Sequence, residues 1–130
     1  MKNFLRLLVI VALFQSFQCE KEANKTSKTT DFETLQKQKQ HIKDYVASFE
    51  CNEEIGCDFM AFGSKPCGGP WEYLIYSNEV DITYLTTMVN QYNQDEANYN
   101  IQYHIFSDCA VVNPPNNVGC VDGVCTIIQQ

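Results

Sequence analysis

The chain has 130 residues, 45% hydrophobic and 12% aromatic, and its nine Lys and Arg face sixteen Asp and Glu, a formal net charge of −7. That size fits one small acidic domain, and the balance argues against a nucleic-acid groove, because neutralising phosphates needs clustered cations and Arg6 is the only arginine. Seven cysteines, one more than pairs can use, direct attention to disulfides and to the compartment in which they form.

At the N-terminus, Lys2 and Arg6 accompany an unbroken apolar run over 7–14, and the pattern predicts an export signal over 1–18. The run is too short to span a bilayer. Cys19 follows directly, and 19–30 is polar and rich in Lys and Thr, as a tether would be, so Cys19 is the expected lipidation site. The residues just ahead of it match a lipobox poorly, and simple cleavage nearby is the alternative. Asn24-Lys25-Thr26 is formally a glycosylation sequon. Removing the signal takes Lys2 and Arg6 away, leaving seven basic residues (9 − 2) against sixteen acidic ones and a net charge of −9. Any membrane association is then expected only through the anchor on Cys19.

From residue 31 the periodicity turns helical, with Asp31 or Thr30 as N-cap. Phe32, Leu35, Ile42, Tyr45, Val46 and Phe49 form the expected packed face, and Lys37, Gln38, Lys39 and Lys43 the solvent face. A weak strand is expected over 58–62. The segment 63–70, with three glycines and two prolines, can be neither helix nor central strand. A stronger strand follows over 71–76, with Trp71, Tyr73 and Ile75 on one face and Leu74 and Tyr76 on the other. Asp81 is the expected N-cap of a second helix carrying Ile82, Leu85, Met88, Val89, Tyr92 and Tyr99 at helical spacing. The alternation over 103–112 predicts another strand, closed by Asn113-Pro114-Pro115-Asn116-Asn117, and 118–128 predicts a hairpin with Asp122-Gly123 at its turn. The expected fold is α+β: two amphipathic helices on a small antiparallel or mixed sheet, in one domain over 31–130.

Cys51, Cys57, Cys67, Cys109, Cys120 and Cys125 remain for about three disulfides, in any of fifteen connectivities. With Asp122-Gly123 as the turn, Cys120 faces Cys125, so the two either bridge each other or both reach into the domain. Structural zinc is disfavoured, since Cys51-x5-Cys57 and Cys120-x4-Cys125 lack the C-x2-C knuckle and neither His41 nor His104 belongs to an H-x3-H pair. No metal or cofactor is expected.

Catalysis finds little support. His104 and Cys109 fall on opposite faces of the expected strand, and no G-x-S-x-G or S-x-x-K motif surrounds Ser64-Lys65. The adjacent pairs Glu53-Glu54 and Asp95-Glu96 diverge rather than converge on a bond. The acids and amides over 90–100 read as solvated helix surface. The over-specified segment is 63–71, a loop stiffened by Pro66 and Pro70 and holding Cys67. It serves either as a recognition loop that presents Lys65, Pro66, Gly68, Gly69 and Trp71, or as a tight turn that aims Trp71 into the core. Against a protease-inhibitor role for Lys65, the bond to Pro66 is one that trypsin-like enzymes cleave poorly.

The string over 61–71, AFGSKPCGGPW, followed by YLIYS over 73–77, Ser107-Asp108-Cys109 and Cys120-x4-Cys125, resembles a group of small exported, Cys-rich bacterial proteins, many of them lipoproteins of the Bacteroidota. The resemblance implies a shared disulfide-stabilised fold and carries no activity, so no catalytic residue transfers from it. The expected function is a non-enzymatic, monomeric binding or inhibitory module for a protein partner, an envelope protease among the candidates. The alternative is a structural or glycan-contacting accessory protein of the cell envelope, using Tyr92, Asn93, Tyr99 and Asn100.

Overall fold

The computed structural model describes the backbone over 2–128 and the side chains over 25–128. In chain order the elements are helix α1 (Lys2–Ala47), strands β1 (Cys57–Phe62) and β2 (Glu72–Ser77), helix α2 (Ile82–Gln102), and strands β3 (Val118–Val121) and β4 (Val124–Ile127). The fold is α+β. The chain divides after Glu33 into two compact units, the second being Thr34–Gln130.

In the first unit α1 runs unbroken through 19–30, where Thr29 and Thr30 return their hydroxyls to the carbonyls of Lys25 and Thr26. Asp31, expected as an N-cap, therefore sits inside the helix, and Phe32, expected in the core, is 49% exposed. The side chains of the 1–18 signal and of Cys19 lie outside the described residues. No described helix is long and apolar enough to cross a membrane.

The second unit is built on the antiparallel hairpin of β1 and β2, paired from Cys57↔Ser77 to Phe62↔Glu72. One face of β2 buries Leu74 and Tyr76, and with Phe62, Leu35 and Ile42 of α1, and Leu85, Val89 and Tyr92 of α2, they form the core. Phe62 is fully buried and meets the Tyr92 ring at 4.9 Å between centroids. Burial of a side chain that size contributes up to about 3 kcal/mol. The opposite face is partly covered by its own residues, Phe59 lying edge-on to Tyr73 at 5.6 Å.

Helix α2 starts as expected, with the Asp81 carboxylate accepting from the Tyr84 amide at 3.0 Å. Its first apolar residue, Ile82, points out and is 48% exposed. The helix ends on a Schellman arrangement, His104 N–H donating to Ile101 and Ile105 N–H to Asn100, with His104 at φ 48°. Continuation as a strand is thereby blocked, and the strand expected over 103–112 does not form. His104 is an exposed turn residue instead.

The strands make two two-stranded sheets, not one. Hairpin β3–β4 turns on Asp122 and Gly123, both at positive φ, and sets Cys120 opposite Cys125. Those cysteines do not bridge each other. Cys120 of β3 bonds to Cys51, ahead of β1, and Cys125 of β4 to Cys57, the first residue of β1. These two disulfides tie down the hairpin, which lies with β3 near β1 and β4 near β2. The third disulfide joins Cys67 to Cys109. Three disulfides place the folded chain in an oxidising environment.

The polar face expected of α1 turns partly inward, because residues 38 and 39 lie between Leu35 and Ile42 on the packed stripe. Gln38 donates to Asp95, and Lys39 and Lys43 clasp Glu72 at 2.7 and 3.1 Å. Partial burial pushes the Glu72 carboxyl up, but the hydrogen bonds and charges of the two lysines together outweigh it and leave its pKa below the ordinary value. A depressed carboxyl stabilises the fold above its unfolded pKa, and that contribution is lost as the pH falls through the lower, folded value. With these side chains a quarter to two-fifths exposed, the triad is worth less than about 1 kcal/mol. In Lys39→Met the Glu72 titration should move up, measured by carboxyl NMR; an unchanged midpoint would show that Lys39 does not set it.

Candidate functional site

The connection between β1 and β2 is the loop 63–71, and almost every backbone donor in it is used. Gly63 N–H donates to Asn93 Oδ1 at 2.7 Å and Ser64 N–H to Glu96 Oε2 at 2.6 Å. Lys65 N–H donates to Gly69, Gly68 N–H to Lys65 and Trp71 N–H to Phe62. Pro66 and Pro70 have no N–H to satisfy, which leaves only Cys67 and Gly69. Asn100 Nδ2 in turn donates to the Ser64 carbonyl at 2.7 Å. Gly63 sits at φ 83°, and a Cβ there would lie 2.9 Å from both Glu96 Oε2 and Trp71 Cδ1, so the position requires glycine.

Helix α2 supplies this grip through its inward stripe, which changes character along its length. Leu85, Val89 and Tyr92 pack the core, then Asn93, Glu96 and Asn100 take the positions facing the loop. Glu96 also accepts from the Tyr92 hydroxyl at 3.0 Å. Burial, with the Glu96 carboxylate beside it, pushes that hydroxyl well above its ordinary pKa, so it remains a donor at any physiological pH. Of the acids and amides over 90–100 read from sequence as solvated surface, Asn90, Gln94 and Asn98 are exposed, whereas Asn93, Glu96 and Asn100 are structural acceptors and donors. Tyr92 and Asn100, offered above as glycan contacts, are 1% and 8% exposed. Asn93 spends its amide on Gly63 and Ala61.

The second grip comes from the segment after α2. The Cys67–Cys109 disulfide holds it against the loop, and Lys65 reinforces the junction: Nζ donates to the Ala110 carbonyl at 2.6 Å, lies 3.7 Å from Asp108 and sits 5.1 Å from the Trp71 ring centroid. Lys65 is therefore not presented to solvent; it is 7% exposed and pins two segments together. Trp71 takes neither expected place in full, being 37% exposed with one ring face toward Lys65. Pro66, Gly68 and Gly69 are at the surface.

Beside the loop runs a groove of about 400 Å³ lined by Lys65, Pro66, Asn100, Ile101, His104 and Phe106. Its rim is apolar, Ile101 being 75% and Phe106 89% exposed. Sequence reasoning singled out neither Ile101 nor Phe106, because their exposure depends on where α2 ends and on the absence of the strand expected over 103–112. No protein-family model, curated protein or solved structure matches this chain. What the site can do therefore rests on its own chemistry.

Asp95 accepts from Gln38 and Gln91, and Glu96 from Ser64 and Tyr92, so both carboxylates are occupied in holding the fold. Cys109 is bonded to Cys67 and offers no thiolate to His104. The sulfurs of Cys51, Cys57 and Cys125 gather within 4.8 Å because two disulfides run side by side, and in that state they have no thiolates to give a metal.

Proposed function

We propose that this chain is an exported, non-enzymatic binding or inhibitory module, anchored through a lipid on Cys19, that engages a protein partner with the 63–71 loop and the groove beside it. The observation that carries this reading is the contrast within the loop. Its backbone is hydrogen-bonded through Gly63, Ser64, Lys65, Gly68 and Trp71, while Pro66, Gly68, Gly69 and Trp71 remain at the surface. A loop ordered before binding loses little entropy on binding, and an exposed Trp beside an apolar groove supplies the anchor that dominates protein interfaces. The acidic surface keeps the module off nucleic acid and anionic lipid.

The test is affinity capture with the native chain, followed by titration of the partner it identifies. Trp71→Ala should weaken that partner by about 30-fold or more, the loss typical of a central Trp. An unchanged affinity in Trp71→Ala and in Pro66→Ala would reduce the loop to a structural turn. Intact mass of the same native chain reads the anchor: a diacylglyceryl group on Cys19 is expected, and an unmodified or absent Cys19 would remove it.

A further inference from the structure

Phe106 is the most exposed of the large apolar side chains described, at 89%, and it lies in an unusual stretch of chain. Over 105–115 the backbone forms no helix, strand, turn or bend. Neither the N–H nor the carbonyl of Phe106 has a partner among the described residues. Between the left-handed residues His104 and Cys109, this irregular stretch leaves both backbone groups of Phe106 unpaired and its ring projecting. These are the groups an endopeptidase engages when it pairs with a substrate backbone and buries one side chain in its primary pocket.

We propose that 105–110 is a substrate-like loop for serine endopeptidases with an apolar primary pocket, with Phe106 as the side chain that enters it. The proposal rests on the reading of this face as a protein-binding surface and names the partner class.

What separates an inhibitor from a substrate is the fate of the chain ends, and here both are held. On one side Ile105 N–H donates to Asn100 at the end of α2. On the other, three residues past Phe106, Cys109 is bonded to Cys67, Ala110 accepts from Lys65 Nζ at 2.6 Å and its N–H donates to Asp108 at 3.2 Å. Ser107 itself donates to Cys67 Sγ at 3.5 Å. In the enzyme, the serine oxygen bonds to the Phe106 carbonyl carbon, the Phe106–Ser107 C–N bond breaks, and the serine proton passes to the Ser107 nitrogen. The new amine stays beside the acyl ester because the disulfide and Lys65 keep it there. The reverse attack, in which that amine expels the serine and takes back the peptide bond, then outruns hydrolysis. Lys65 gains a purpose that its burial denied it as a contact residue: it holds the leaving side of this bond.

The test titrates the full oxidised chain against two serine endopeptidases, one with an apolar and one with an acidic primary pocket. The wild type should inhibit the first, Phe106→Gly should weaken that inhibition about 100-fold, and Phe106→Lys should transfer it to the second. Phe106 is outside the core, so both variants should keep the wild-type melting temperature. The proposal is overturned if the wild type inhibits neither enzyme, if it is cut after Phe106 without lasting inhibition, or if Phe106→Lys leaves the selectivity unchanged. If Trp71→Ala loses the captured partner while no endopeptidase is inhibited, this inference fails and the binding module stands. If neither effect is seen, both fall.

Discussion

Replacing Cys51, Cys57, Cys120 and Cys125 together by alanine should cost about 7 kcal/mol, whereas removing either bridge alone should cost about 3. The two disulfides span 69 and 68 residues and run parallel. While one is intact, the other closes only the short ring made by 51–57 and 120–125, and the loop-closure entropy it removes from the unfolded chain is correspondingly smaller. When both are gone the larger loop reopens, shortened only by the remaining Cys67–Cys109 bridge within it. Little else holds hairpin β3–β4 in place: Val121, Val124 and Ile127 are at least half exposed, and Cys51 N–H to the Gly123 carbonyl is its backbone bond to the segment between α1 and β1. Since small domains are stable by about 5–15 kcal/mol, the quadruple variant should be largely unfolded or have lost its hairpin. Urea titration of the oxidised variants measures this. A quadruple variant no less stable than the pairwise ones would mean that the hairpin docks through contacts other than the bridges.

The second large effect is expected at Glu96, with Glu96→Ala losing about 3 kcal/mol of stability. The substitution leaves two donors without their acceptor, the Tyr92 hydroxyl of a buried residue and the partly buried Ser64 amide. Bonds to a charged acceptor are worth about 1.5–3 kcal/mol each, and an orphaned buried donor adds its own desolvation cost. Glu96→Gln retains an acceptor of similar reach and should lose about 1 kcal/mol. The distinction matters for the loop: alanine should free the Ser64 amide to exchange with solvent while β1 and β2 stay protected. Equal losses for alanine and glutamine would show that Glu96 acts only as a spacer.

Much of the frame was legible in the chain. The Asp81 cap, the Asp122-Gly123 turn and the facing of Cys120 and Cys125 follow from local rules that tertiary packing had no reason to override. The connectivity was not legible, because pairing depends on where the hairpin docks. The misassigned 103–112 strand had β-branched residues but no neighbour to pair with, and helix α2 ended in a left-handed residue that turned the chain aside. The candidate site was legible as a segment and misread in its particulars. Lys65 looked like a presented charge because lysine is seldom buried; an Ala110 carbonyl 45 residues away and the Trp71 ring satisfy it. Asn93, Glu96 and Asn100 looked solvated because polar residues on a helix usually are. Their spacing on the stripe begun by Leu85 and Val89 was the available signal.

Hydrogen exchange of the loop amides in the native oxidised chain tests the preformed recognition face most directly, since it needs neither a partner nor a substitution. Gly63, Ser64, Lys65, Gly68 and Trp71 should exchange slowly, within about tenfold of the β1–β2 ladder, while Cys67 and Gly69 exchange freely. Exchange of all seven at the rate of an unstructured peptide would contradict it, because a loop that open would have to be ordered by its partner.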